Sequence, residues 1–203
     1  MGDKNIVARD VFEHLLVSLQ RFSTISREGM EQLIPYLEIR QFEKKKKLVN
    51  LGEMEDYMNV VVKGLARKYV PSSIRGEVTL QLATEGHFIQ SEISFHHRVP
   101  SDVIIQTLEP TVLVSIRHDR MNEALDKIPE AEELGRVIIM QMFIKKDARY
   151  FDQLNTSTRD RFLQYMNNHP HMLQRVPQKI LASYLNIKPE TFSRLKHLLL
   201  QKK

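Results

Sequence analysis

The stretch from Ile180 to Leu195 (ILASYLNIKPETFSRL) constrains the fold more than any other, because its spacing fits two short helices joined by a tight turn. Ile180, Leu181, Ala182 and Leu185 supply the buried side of the first helix, and Ala182 is small where a second helix must cross closely. Asn186 punctuates the pattern, being one of the few residues other than glycine that tolerate a left-handed backbone. Ile187 plugs the core between the helices. Pro189 suits a first helical position, where its missing N–H costs nothing, and Glu190 follows where the helix dipole favours an anion. A second helix is therefore expected from near Lys188, with Phe192 and Leu195 turned inward at i, i+3 spacing. Its accessible side chains could meet DNA: Arg pairs bidentately with guanine, Glu accepts from cytosine N4, and Ser or Thr bonds base edge or phosphate. Lys188, Glu190, Thr191, Ser193, Arg194 and Lys196 are the candidate DNA-binding residues. The same spacing would also serve an αα-hairpin in a helical core with a solvated polar face.

Charge separates the two readings. From Arg175 to Lys203 there are seven Lys or Arg against the single acid Glu190, a surplus of six. The whole chain carries 30 basic and 25 acidic residues, so positions 1–174 hold 23 against 24, or −1. All the excess positive charge sits on the helix-turn-helix pattern, the footprint expected of a module that meets phosphates.

At 203 residues with 42% hydrophobic content, the chain can bury one sizeable core and a smaller second one. It has no cysteine, which excludes a disulfide framework, a thiol nucleophile and Cys-ligated iron–sulfur or zinc sites. Met1 to Asp10 lacks a signal-peptide core and no run approaches the ~18 apolar residues that span a bilayer, so a cytoplasmic protein without a membrane partner is expected. There is neither a Gly-rich phosphate loop nor a nucleophile elbow, and no enzyme is expected.

Along the chain, Val11, Phe12, Leu15, Leu16 and Leu19 repeat at helical spacing. Ser26 with Gly29 gives only half a cap signal before Met30, Leu33, Ile34 and Leu37, which suggest a second short helix. From Ile39 to Ile116 the pattern becomes short apolar runs broken by turns. These are Leu48-Val49, Val60 to Val62 before Gly64, Ala66 to Val70, Val103 to Ile105, and Val112 to Ile116. Val78, Leu80 and Leu82 alternate with Thr79 and Gln81; Pro71 to Gly76 reads as a hairpin loop and Glu109-Pro110 as another turn. Many short strands at near-regular spacing suggest a β-sandwich or jelly roll. Asp119 is a candidate N-cap for a helix through Leu125, and Pro129 opens a longer one to about Phe151, with Glu130, Glu132 and Glu133 in its first turns. Ser157 and Asp160 have capping-box-like spacing after the linker at Asn155, and a further helix runs until His169-Pro170. The expected class is α+β: an N-terminal β-sandwich or jelly roll with flanking helices (1–128), a long dimerisation helix and hinge (129–153), and a C-terminal all-α helix-turn-helix domain (154–203).

The long helix is apolar nearly all round and needs more than one partner. Leu134, Val137, Ile138, Gln141, Met142 and Lys145 follow a 3–4 repeat and form the candidate dimer interface, while Ile139, Met140, Phe143 and Ile144 fall on other sides.

This layout resembles the Crp/Fnr superfamily of bacterial transcription regulators. The matching residues are Leu181-Ala182, Leu185, Ile187, Glu190-Thr191 and Ser193-Arg194-Leu195. Gly52-Glu53, Lys63-Gly64-Leu65, Gly76-Glu77 and Glu85-Gly86-His87-Phe88-Ile89 match in the sandwich. The resemblance implies Glu190 and Arg194 as base readers, a homodimer, double-stranded DNA with a pseudo-palindromic site, and RNA polymerase as a partner. One departure is Pro189, where many members carry a further polar or basic reader. With few residues after the recognition helix, phosphate anchoring is expected to fall to Lys196, Lys202 and Lys203.

A second departure concerns the effector. Cyclic-nucleotide binders of this superfamily use a Gly-Glu pair for the ribose and an Arg-Ser or Arg-Ala pair for the cyclic phosphate. Here Gln90-Ser91 precede Glu92, and Pro100-Ser101 replace the phosphate pair. Proline offers neither charge nor N–H, so the resemblance does not carry cyclic AMP binding with it. Gln90, Ser91, Glu92, Pro100 and Ser101 remain the candidate effector-pocket residues; no cofactor or metal is expected, and an unidentified small-molecule effector stays open. Arg98 could substitute only if its loop shifts. His96 and His97 read as a solvated pair in the loop from Phe95 to Pro100, and Lys44 to Lys47 as protection of an edge strand. The alternative reading is a signalling or scaffold protein whose sandwich binds a ligand or partner, without sequence-specific DNA binding.

Overall fold

The apolar runs between Ile39 and Ile116 form two four-stranded sheets in the computed structural model, which describes residues 11–13, 15–17, 19, 20 and 25–200, with side chains as far as 197. The strands are β1 (Leu37–Phe42), β2 (Lys47–Val49), β3 (Tyr57–Lys63), β4 (Ala66–Ser72), β5 (Gly76–Ala83), β6 (Phe88–Ile89), β7 (Ile104–Thr107) and β8 (Thr111–Arg117). One sheet has the order β1-β8-β3-β6 and the other β2-β7-β4-β5. Antiparallel register is fixed by pairs such as Leu37 with Ile116 and Val60 with Val114. Gly64, at φ 99°, makes the turn between β3 and β4, where a Cβ would stand 2.5 Å from the Pro110 carbonyl. The lysine run occupies the β1–β2 turn and the exposed start of β2, which is the edge strand of its sheet.

Helices flank this sandwich: α1 (Arg27–Leu33), followed by a 3-10 turn, α2 (Glu92–His97), α3 (His118–Lys127) and the long α4 (Pro129–Asn155). After α4 come α5 (Thr158–Asn168), α6 (Met172–Arg175), α7 (Gln178–Tyr184) and α8 (Pro189–Leu200). The chain has two compact units: residues 1–68 with 82–143, and residues 69–81 with 144–203. The tip of the β4–β5 hairpin thus groups with the C-terminal helices.

Strand periodicity explains why the central runs are apolar at successive positions. Val61 and Leu113 join Val49, Ile89 and Ile105 between the sheets, while Val60, Val114 and Ile116 lie on the opposite face with Leu16, Met30, Leu134 and Ile138. A sheet buried on both faces has no need of a polar alternate.

Several expectations shift. His96 and His97 end helix α2 rather than lying in a loop, because Ser91 and Glu92 start a helical turn that buries Phe95 beneath them; both rings remain exposed. Asp119 sits inside the first turn of α3, whose N-cap is Arg117; its carboxylate accepts from the Arg120 amide and from the Arg117 guanidinium. On β5 the order inverts: Thr79 is buried and Leu80 exposed.

The half cap at Ser26 is completed from far along the chain. Ser26 Oγ accepts from the Gly29 amide at 2.9 Å, and the Glu130 carboxylate accepts from the Ser26 amide at 3.0 Å and from its hydroxyl at 2.9 Å. The acid that a local capping box would place at the third helical position comes from the first turn of α4. A Cβ on Gly29 would stand 2.0 Å from Glu130 Oε2, so glycine keeps the carboxylate in place. Gly29→Ala is accordingly expected to destabilise the wild-type chain. In a Glu130→Ala background the same change should stabilise it by about 0.5–1 kcal/mol, the ordinary preference of a helix for alanine over glycine. Urea midpoints of the four proteins measure this reversal of sign.

Candidate nucleic-acid interface and effector cluster

The helix-turn-helix forms as its sequence requires. Leu181, Ala182, Leu185, Ile187 and Phe192 are buried, and the Phe192 ring meets Phe162 of α5 edge-on at 5.1 Å between centroids. Ile180 and Leu195 are half-buried. Asn186 has φ 55°, the left-handed turn residue, and the Ile187 amide donates to the Ala182 carbonyl at 2.9 Å to close the turn. Arg161 binds this turn to the end of the long helix: Nε donates to the Leu185 carbonyl at 2.9 Å and Nη1 to the Thr156 carbonyl at 3.1 Å. Ser157 caps α5, its hydroxyl accepting from the Asp160 amide and donating to the Asp160 carboxylate.

Of the expected DNA-contacting residues, Lys188, Glu190, Ser193 and Arg194 are exposed, and Thr191 and Lys196 half-buried. Their anchor, Phe192, points the other way. The arrangement presents one acid, one guanidinium and a hydroxyl from the first two turns of α8, a spread that can address adjacent base edges. Lys202 and Lys203 lie outside the described residues.

Within the first unit, the effector candidates separate. Gln90, Ser91 and Ser101 are buried, Glu92 is half-buried, and Pro100 is exposed. Ser101 Oγ donates to Ser91 Oγ at 2.9 Å, and Lys68, mostly buried, bonds the Glu92 carboxylate at 2.6 Å and the Gln90 carbonyl at 3.1 Å. Gln90 Oε1 is buried without a hydrogen-bond partner. Arg98 does not face Pro100-Ser101: at φ 54° it ends α2, donating to the Glu55 carbonyl at 2.8 Å and pairing with Asp56.

The sequence reading missed Glu55, Lys68 and Ser94. Nothing in the local pattern marks them, since each is one polar residue among many until β3, β4 and α2 converge. Glu55 is buried, with its carboxylate accepting from the amides of Tyr57 at 3.1 Å and Ser91 at 3.3 Å, while its own amide donates to Ser94 Oγ at 2.9 Å. Burial pushes its pKa up to about 7, against those two amides and the charge of Arg40, which favour the ionised form. The folded value lies above the ordinary 4.5, so the folded state holds an extra proton between these pH values. Stability therefore falls as pH rises through this window, by on the order of 2–3 kcal/mol. Glu55→Gln, which is always neutral, should lose that slope: its urea midpoint should change less than the wild type's between pH 5 and pH 8.

Among the described residues no helix is long and apolar enough to cross a membrane. No family model matches the chain, and no curated protein does. Solved structures do. The c-di-GMP-responsive global regulator CLP of Xanthomonas campestris superposes with a TM-score of 0.66 at 15% identity, covering 87% of this chain and 93% of that one. FixK2 of Bradyrhizobium japonicum gives 0.67 at 13% identity over 82% and 85%. A protein assigned to the crp/fnr family of transcriptional regulators, from Eubacterium rectale, gives 0.66 at 14% identity over 88% and 85%. Across most of its length this chain has the fold of these structures, that of the Crp/Fnr family.

Proposed function

We propose that this chain is a sequence-specific DNA-binding transcription regulator of the Crp/Fnr type that acts as a homodimer. The observation carrying this reading is the exposure of Glu190, Ser193 and Arg194 on a helix whose opposite side is locked by Phe192 in a fully formed helix-turn-helix. The surplus of positive charge after Arg175 supports it. In this reading residues 1–128 form the sensing domain, 129–153 the dimerisation helix and 154–203 the DNA-binding domain. Two recognition helices then enter successive major grooves, with half-site centres about 34 Å apart. RNA polymerase is the partner expected at a promoter.

We place the dimer face on other residues of α4 than the 3–4 repeat suggests. Leu134, Val137 and Ile138 are buried against their own unit, with Met142 packed beside them, and a side chain already covered cannot be covered again by a second copy. Gln141 is half-buried and Lys145 exposed. The exposed apolar residues of α4 include Ile139, Ile144 and Phe151, and four others, Met140, Phe143, Tyr150 and Leu154, lie along one seam, with Phe143 67% and Leu154 63% exposed. These positions follow a heptad seam, interrupted at Asp147, of the kind that pairs two helices. Phe143→Asp should therefore shift the protein toward monomer in sedimentation equilibrium while its circular dichroism stays that of the wild type.

Cyclic AMP is not the effector in this reading. Arg98 is held by Glu55 and Asp56, and Lys68 by Glu92, so neither cation is free to take a cyclic phosphate without breaking an internal pair.

In vitro selection from a random duplex library, with purified protein and no added ligand, tests the proposal; recovery of an inverted repeat is expected. Arg194→Ala should then cost roughly 1–3 kcal/mol and relax preference at one base pair, whereas Lys196→Ala should weaken all duplexes alike. Absence of any sequence preference with candidate ligands present would favour the scaffold reading instead.

A further inference from the structure

The β4–β5 hairpin meets the helix-turn-helix inside the second unit, through groups that its own sheet leaves over. β5 is the edge strand of its sheet, so its outer main-chain groups need partners from elsewhere. The Ser183 hydroxyl of α7 supplies two of them, accepting from the Thr79 amide at 2.9 Å and donating to the Glu77 carbonyl at 3.0 Å. Glu77 and Thr79 are two residues apart, the spacing that sets a carbonyl and an amide on the same side of a strand. One hydroxyl thus stands in for a neighbouring strand. Arg149 of α4 adds a second tie: its guanidinium donates to the Leu80 carbonyl and to the Tyr184 carbonyl, the latter at 2.7 Å, and lies 3.9 Å over the Tyr184 ring. At the tip, Arg75 donates to the Asn186 side chain at 3.2 Å, on the left-handed residue of the turn itself. The inverted burial of Thr79 and Leu80 belongs to the same contact.

We propose that this hairpin is a strap that positions the helix-turn-helix, with Ser183 and Arg149 as its positioning residues. The strap holds α7 and the turn but leaves Glu190, Ser193 and Arg194 exposed, so it presents the reading face rather than covering it. The proposal rests on the DNA-binding reading for its consequence and on the hairpin contact alone for its structure.

Two measurements on the full chain separate those parts. In hydrogen–deuterium exchange, Ser183→Ala removes the acceptor of the Thr79 amide, and peptides covering residues 76–82 should exchange about three- to tenfold faster, the worth of one hydrogen bond. Ser183→Thr, which keeps the hydroxyl, should restore wild-type exchange. In fluorescence anisotropy with the duplex recovered by selection, Ser183→Ala should weaken binding by a similar factor with the base preference unchanged, and Arg149→Leu should do likewise. Unchanged exchange in Ser183→Ala overturns the strap. Faster exchange with unchanged or tighter DNA binding overturns its positioning role. If the wild-type chain selects no duplex, the DNA-binding reading fails, and with it the positioning role, while the exchange data still decide whether the strap exists.

Discussion

Arg161 holds together what would otherwise be three loose ends. Helix C-termini leave carbonyls unpaired, and α4 and α7 both finish near it: its guanidinium bonds carbonyls of Gln153 and Thr156 on one side and Leu185 on the other. A cation at two helix C-termini also meets the negative ends of both dipoles. The helix-turn-helix is too small to order itself by burial alone, and its first helix α7 and the preceding α6 are only 7 and 4 residues long. Such helices persist because Phe162, Met166, Met172 and Val176 bury their apolar sides and because Arg161 satisfies the C-terminal end of α7.

The same economy recurs in the sandwich, where polar side chains stand in for missing local partners. Glu130 completes the cap of α1, Ser94 accepts from the amide of Glu55, and Thr107 Oγ1 donates to the Glu43 carbonyl at 2.7 Å while accepting from the Lys46 amide. The cluster around Gln90 shows the same pattern. Ser91 and Ser101 bond one another, as do Lys68 and Glu92. Gln90 Oε1 is the exception, a buried acceptor without a hydrogen-bond partner.

The long helix α4 shows how a helix apolar on several sides is resolved. Its buried face carries Leu134, Val137 and Ile138, and its free face Met140, Phe143, Tyr150 and Leu154. Both stripes have helical period, so periodicity alone could not say which one the sandwich takes. The choice was made by residues distant in sequence, among them Leu16, Met30 and Ile128, that form the cluster against which the first face packs.

What the sequence determined by itself was a set of elements whose signal is local. The turn at Asn186, the start of α8 at Pro189, the serine cap of α5 and the doubly buried strands all follow from backbone preference and period, which neighbours along the chain suffice to express. Tertiary structure alone decided matters that depend on distant partners. It set the acid that completes the Ser26 cap, the inward turn of Thr79, the burial that raises the pKa of Glu55, and the face of α4 left free. The physical reason is common to these cases. A polar group's worth depends on what desolvates it and what bonds it, and an apolar face's on what covers it, and both are supplied across more than a hundred residues in the contacts of Glu130 with Ser26 and of Ser183 with Thr79.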